Sequence, residues 1–251
     1  MKTYLLLALL TAPGAFCQPI DSSSTFPAKS HFRRGIITEF GLAGTVTGLS
    51  NLRSFFRSNQ IRGASIFDLY VSIGGGVRLN RVKILAQYGF GLKDDKAYID
   101  PPQNGSELVA RNTLANYSAL FVGYDLINTR NRRLYLKAGL GGLEYGYSLF
   151  RRSSQPVSFP AILSTSQPGT VPSLLLRNAG YVDVNLEYAQ REKKKRSIEY
   201  TIRLGYRRGL SARAYESDAF PLVNAPRDRI NQWYLQTVFN MSLNGEKLRF
   251  R

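Results

Sequence analysis

Residues 198–207 read Ile198-Glu199-Tyr200-Thr201-Ile202-Arg203-Leu204-Gly205-Tyr206-Arg207. Ile198, Tyr200, Ile202, Leu204 and Tyr206 fall on one side of a period-two repeat, and Glu199, Thr201, Arg203, Gly205 and Arg207 on the other. Strict alternation predicts a β-strand with two unlike faces. A soluble sheet hides its apolar face and wets its polar one. Which face this chain hides is decided by the segments around it.

The same split recurs outward from that stretch. Towards the C-terminus Trp233, Leu235, Phe239, Met241 and Leu243 oppose Gln232, Tyr234, Gln236, Asn240 and Ser242. Before it, Val182, Val184, Leu186 and Tyr188 oppose Asp183, Asn185 and Glu187. Val82 to Leu92, Phe67 to Arg78, Thr38 to Val46 and Ala119 to Leu126 divide in the same way. In the remaining strand Leu134, Leu136, Ala138 and Leu140 form the apolar set, and paired glycines at Gly141-Gly142 predict a β-bulge. Beyond it the apolar set passes to Leu143, Tyr145, Tyr147 and Leu149, which puts Glu144 on the polar face. The count is eight strands.

Connection lengths alternate as regularly as the strands. Leu79-Asn80-Arg81, Asn128 to Arg133 and Gln190 to Arg196 are short; Leu49 to Ala64, Asp94 to Asn112, Arg151 to Leu174 and Leu210 to Asp228 are long. Several structureless loops of that size count against an ordinary soluble domain. Short turns at one end and four long loops at the other are what a transmembrane barrel requires, with an even strand number and both termini at the turn end. The expected fold is therefore all-β, an eight-stranded antiparallel up-and-down transmembrane β-barrel over residues 35–251.

Met1 to Ala12 carries a positive start and an apolar run, followed by Ala15-Phe16-Cys17. This is a signal-peptide pattern, read as residues 1–17 with cleavage before Gln18 and a periplasmic segment over 18–34. Acylation of a retained Cys17 is the alternative, and Phe16 departs from the small residue that it wants. If Cys17 is removed no thiol remains for catalysis, metal binding or a disulfide. The strand pattern resembles the small outer-membrane barrels of the OmpA/OmpX type, and Phe16-Cys17-Gln18 resembles signal ends of Bacteroidetes outer-membrane proteins. The resemblance implies the outer membrane of a Gram-negative bacterium and supplies no active-site motif. An aromatic last residue is the insertion signal of such barrels, whereas Phe250 here is penultimate.

Hydrocarbon offers no hydrogen bonds, so a chain without a helical span must close its sheet. The apolar set then faces lipid, with Tyr88, Tyr124, Tyr188, Tyr206 and Trp233 as interfacial girdles. Eight strands leave a bore just wide enough for side chains. Inward charges must therefore neutralise one another: Glu39, Asp68, Asp125, Glu144, Asp183, Glu187 and Glu199 against Arg78, Lys83, Lys93, Lys137, Arg203 and Arg207.

Other motifs read as ordinary structure. Gly74-Gly75-Gly76 lies inside a strand with no helix after it, which argues against a phosphate loop. Lys193-Lys194-Lys195-Arg196 and Arg130, Arg132 and Arg133 read as turns near lipid headgroups or solvent, and no nucleic-acid partner is expected. His31, the single histidine, precedes the first strand, so no catalytic triad is expected. Asp94, Asp95 and Asp100 lack the glycine and spacing of a calcium loop. No catalytic, cofactor or metal residues are assigned.

The expectation is a non-enzymatic outer-membrane scaffold or surface-interaction protein. Its partners would be outer-membrane lipid and lipopolysaccharide, met by Arg53, Arg57, Arg62, Arg151, Arg152, Arg208 and Arg213, and an unidentified envelope protein. The alternative is a small porin-like channel lined by Glu199, Arg203 and Arg207; a soluble ligand-binding barrel of the lipocalin kind would reverse the two faces.

Overall fold

The computed structural model describes residues 34–63, 66–92, 106–127, 129, 132–153, 170–191, 198–217 and 221–244. The elements are β1 (Arg34–Gly48), α1 (Ser50–Ser58), β2 (Arg62–Gly63), β3 (Phe67–Leu79), β4 (Val82–Leu92), β5 (Ser106–Asp125), β6 (Arg132–Ser153), β7 (Thr170–Arg191), β8 (Ile198–Gly209), β9 (Arg213–Ala214), β10 (Arg227–Asp228) and β11 (Asn231–Asn244). Eight of them form the wall, paired antiparallel in the order β1-β3-β4-β5-β6-β7-β8-β11 and closed by β11 on β1. Short β2 runs parallel to β5, and β9 pairs with β10.

Register fixes the geometry of closure. From Gln190 the partners run through Tyr200, Phe239, Phe40, Ile73, Tyr88, Ser118 and Gly142, and return to β7 at Gly180, a stagger of ten residues. Eight strands with that stagger tilt by roughly 40° and enclose a bore that side chains fill. β3 and β4 meet through Asn80-Arg81, where Asn80 adopts a φ of 56°. Asparagine tolerates that left-handed conformation at a tight turn.

Parity sorts the side chains. Phe40, Ile73, Leu120, Leu140, Ile202 and Leu204 are exposed on the outside, while Glu39, Arg78, Lys83, Asp125, Lys137 and Arg203 are buried inside. The barrel is inverted relative to a soluble one, with its apolar side chains outside and its charges inside. Among the described residues no helix is long and apolar enough to cross a membrane.

Two expectations fail in β6. No slip occurs at Gly141-Gly142: inward residues stay odd-numbered from Arg133 to Leu149. Leu143, Tyr145, Tyr147 and Leu149 are buried inside, and Glu144 is half-buried on the opposite face. The pattern reverses because the interior turns from charged to apolar towards the loop end, while the backbone keeps its period. The irregularities lie in β5 between Asn112 and Leu114, and at the β6–β7 pairing between Leu143 and Tyr145 and between Ser148 and Phe150. The second difference is length: β5, β6 and β7 carry 20, 22 and 22 residues and extend into segments expected to be loops.

Candidate functional site

Most of the charged side chains of the wall strands point into the lumen, which is built in layers. At the turn end Arg78 donates to Asp125 at 3.1 Å, and Arg133 pairs with Glu199 at 3.1 Å. Arg78 also donates through Nε to the Asn80 carbonyl at 3.0 Å. The Tyr135 ring lies 5.6 Å from the Arg78 guanidinium and 5.4 Å from Lys83 Nζ, within range of a cation–π attraction.

Glu187 is the hub of the next layer. One of its oxygens accepts from Lys83 at 2.9 Å; the other accepts from Lys137 at 2.7 Å and from Arg203 at 2.7 and 3.0 Å. Lys83 and Arg203 also reach Glu39, Arg203 at 2.9 Å. Arg203 donates further to Gln236 at 2.6 Å and to Gln87 at 3.4 Å. β8 and β4 are opposite staves of the barrel, so the Arg203–Gln87 contact crosses the bore. Each buried charge here meets opposite charges and amides, the condition under which a buried ion network is tolerated.

Arg207 lies two strand repeats further out, donating to Asp183 at 3.0 Å and Gln232 at 2.7 Å. Its guanidinium is 3.9 Å from the Tyr117 ring centroid, 4.5 Å from Tyr234 and 5.5 Å from Tyr181. Those rings fit because glycines lie beneath them. A Cβ on Gly89 would stand 2.1 Å from the Tyr117 ring, one on Gly205 2.3 Å from Tyr234, and one on Gly141 2.6 Å from Tyr181. Tyr234 and Asn185 complete the shell by donating to Asp183, each at 2.9 Å.

Above this the lumen becomes a hydroxyl cluster and then an apolar layer. Tyr145 donates to Asp68 at 2.7 Å, Tyr70 donates to the Tyr145 oxygen at 2.7 Å, and Thr47 donates to Asp68 at 3.1 Å. The Thr47 and Tyr145 hydroxyls lie 2.8 Å apart, although β1 and β6 are opposite staves. Over them α1 buries Leu52 and Phe56 in one core with Leu149, Leu174, Leu176 and Ile230. Phe56 meets Tyr147 edge-on at 5.9 Å.

The helix is anchored from outside its own sequence. Leu49 at its N-terminus supplies no capping side chain. Instead the Asp228 carboxylate accepts the backbone N–H groups of Asn51 and Leu52, both at 2.9 Å. A carboxylate there satisfies orphan donors and suits the helix dipole. Tyr215 donates to the same carboxylate at 3.3 Å, and burial pushes its phenol well above the ordinary range, so it stays a donor. Asp228→Ala is expected to loosen the seal by about 0.5–2 kcal/mol, the worth of an N-cap. Faster amide exchange at Asn51 and Leu52, with exchange in the central strands unchanged, is the result that checks it.

Most of the charges expected in the lumen are brought together: Glu39, Asp68, Arg78, Lys83, Asp125, Lys137, Asp183, Glu187, Glu199, Arg203 and Arg207 all lie on inward positions. Glu144 does not join them, and Lys93 lies outside the described residues, as do the signal peptide, His31 and the Lys193–Arg196 run. Arg133, expected in a solvated turn, lies inside with Glu199, since it shares the odd parity of Tyr135 and Lys137. Among the described residues six inward bases thus pair with five acids, Glu39, Asp125, Asp183, Glu187 and Glu199, while Asp68 is held by the Tyr145 and Thr47 hydroxyls. Of the aromatic set, Tyr124 and Tyr188 face outward near the turn end, and Tyr206 and Trp233 outward near the loop end. Tyr88 faces outward in the middle of β4, opposite Ile73 and Ser118, and not at a strand end. α1 was missed altogether, though Leu49, Leu52 and Phe56 carry a helical spacing.

No protein-family model matches the chain, and no curated protein matches it. Solved structures similar to it include Neisserial surface protein A, at 11% identity over 83% of this chain and 97% of that one, with a TM-score of 0.47. Ail, the attachment invasion locus protein of Yersinia pestis, shows 8% identity over 82% and 98%, with a TM-score of 0.41. The outer membrane protease OmpT of Escherichia coli shows 12% identity over 89% and 100%, with a TM-score of 0.38. The fold of this chain rests on its own closed register, which makes it an eight-stranded antiparallel β-barrel.

Proposed function

We propose that this chain is a non-enzymatic scaffold of a Gram-negative outer membrane, whose sealed barrel holds long loops at the cell surface for contact with lipopolysaccharide or an envelope protein. The observation that carries this reading is contact across the bore at two levels, Arg203 with Gln87 and Thr47 with Tyr145. Side chains from opposite staves touch, and the helical seal lies above them. A barrel filled this way offers rigidity to whatever its loops carry. The placement in an outer membrane is supported by the apolar exterior and by short turns at one end against long loops at the other.

Planar-bilayer recording on the purified, heat-modifiable protein tests the reading. Electrical silence is expected at all applied voltages. Stable stepwise conductance, altered in Arg203→Gln, would replace the scaffold with a porin-like channel lined by Arg203, Arg207 and Glu199.

A further inference from the structure

The outward face of β11 continues beyond the end of its apolar run. Arg227, Arg229, Asn231 and Trp233 follow one another on it, alternating with buried Asp228, Ile230 and Gln232. β8 runs alongside, with Tyr206 opposite Trp233 and Arg208 opposite Asn231. The Tyr206 and Trp233 rings lie 4.6 Å apart, and the Tyr206 hydroxyl donates to Asn231 Oδ1 at 3.1 Å. Arg229 reaches across to donate to the Leu210 carbonyl at 3.0 Å, which holds it over the end of β8.

The column is ordered as a bilayer surface is ordered. Leu204 and Leu235 are exposed below the aromatic pair, the pair itself suits the edge of the hydrocarbon, and guanidinium groups begin one residue pair further out. A pair of residues advances a strand by roughly 6–7 Å, which takes Arg208 from the hydrocarbon edge to the depth of lipid phosphates. Arg208, Arg227 and Arg229 are all exposed, and among the described residues none of them forms an ion pair. The acid between them, Asp228, is turned inward and committed to α1 and Tyr215. Guanidinium groups match phosphate oxygens through paired N–H donors. One phosphate satisfies one or two such groups; a column of three rising from the membrane edge fits a lipid that carries several.

We infer that Arg208, Arg229 and Arg227, above Trp233 and Tyr206, form a docking site for an outer-leaflet glycolipid bearing more than one phosphate, with its acyl chains laid along Trp233, Leu235 and Leu204. This rests on the scaffold reading and gives it one lipid partner at one sector of the wall. The site differs from a general cationic surface in being confined to the β8–β11 edge and in pairing cations with an aromatic shelf.

The experiment titrates the full chain in detergent with purified bis-phosphorylated lipid A, with its monophosphorylated form, and with phosphatidylglycerol, reading bound lipid by native mass spectrometry. Saturable one-to-one binding of the bis-phosphorylated lipid is expected, with weaker binding of the monophosphorylated form and none that saturates for phosphatidylglycerol. Arg208→Gln with Arg229→Gln should weaken it by on the order of tenfold or more, the loss expected for paired guanidinium–phosphate contacts. Arg132→Gln, at the turn end, should leave it unchanged. Arg227→Gln with Arg229→Gln repeats the test should the first pair fail to fold, and unboiled gel mobility reports folding in each. Equal affinity in the folded arginine variants, or phosphatidylglycerol binding as tightly as lipid A, overturns the site. A conducting barrel that still binds lipid A through these arginines would overturn the scaffold reading and leave the site standing.

Discussion

Glu187→Ala should lower the thermal unfolding midpoint of the folded barrel in detergent more than any other single change in the lumen. The substitution removes the acceptor of Lys83, Lys137 and Arg203 together. Glu39 remains for Lys83 and Arg203, whereas Lys137 loses the one carboxylate with which it pairs among the described residues. Stranding a buried charge costs about 3–5 kcal/mol. Glu187→Gln keeps the shape and an acceptor, so its loss should be smaller. Adding Lys137→Met to Glu187→Gln should recover stability, because the stranded cation goes with its partner. The midpoint is read from the temperature at which unboiled gel mobility converts to that of the unfolded chain. A Glu187→Ala midpoint equal to that of the parent would mean that the network does not hold the barrel.

Leu204→Arg has the second large effect, and its size separates a membrane barrel from a soluble one. Leu204 faces outward in mid-strand between Leu186 and Leu235, 55% exposed. On a soluble protein, arginine at such a position would be close to neutral. On a lipid-facing wall its cost grows with depth, up to about 2–4 kcal/mol at the bilayer midplane. Urea unfolding of the barrel in lipid vesicles should therefore show a marked loss for Leu204→Arg. Leu204→Ile, with the same polarity, should stay near the parent.

The parts of the fold that could be read from sequence are those where one face of a strand is wholly apolar and the other carries charge. β8 meets that condition; β11 carries amides in place of charges on its inward face, and it and its neighbours keep the same alternation. β6 meets it only over its first half. Beyond Gly141 its inward residues are tyrosines and leucines, because there they meet α1 and the apolar layer in place of Glu187 and Arg203. Alternation was preserved, but hydrophobicity no longer marked which side was lipid. Arg133 was hidden for a related reason: at the start of a strand, beside Arg132, a basic pair looks solvated until its parity is traced to Lys137. Asp228 carried no local signal at all, since its partners Asn51 and Leu52 are 177 and 176 residues away in sequence.

The charges of the lumen were legible as a near-balanced set, but the glycine–tyrosine fit around Arg207 was not. Gly89, Gly141 and Gly205 each admit a ring from a neighbouring strand, and that correspondence depends on register. Spacing within one strand does not reveal it.

Trp233 is the single tryptophan of the chain, and it lies on the outer face, 59% exposed, near the loop end of β11. Its fluorescence in vesicles containing lipids brominated at different depths tests the inverted barrel most directly. The account predicts a blue-shifted emission, quenched most by bromines near the headgroup end of the acyl chain and protected from iodide in water. A red-shifted emission, open to iodide and indifferent to brominated lipid, would contradict it.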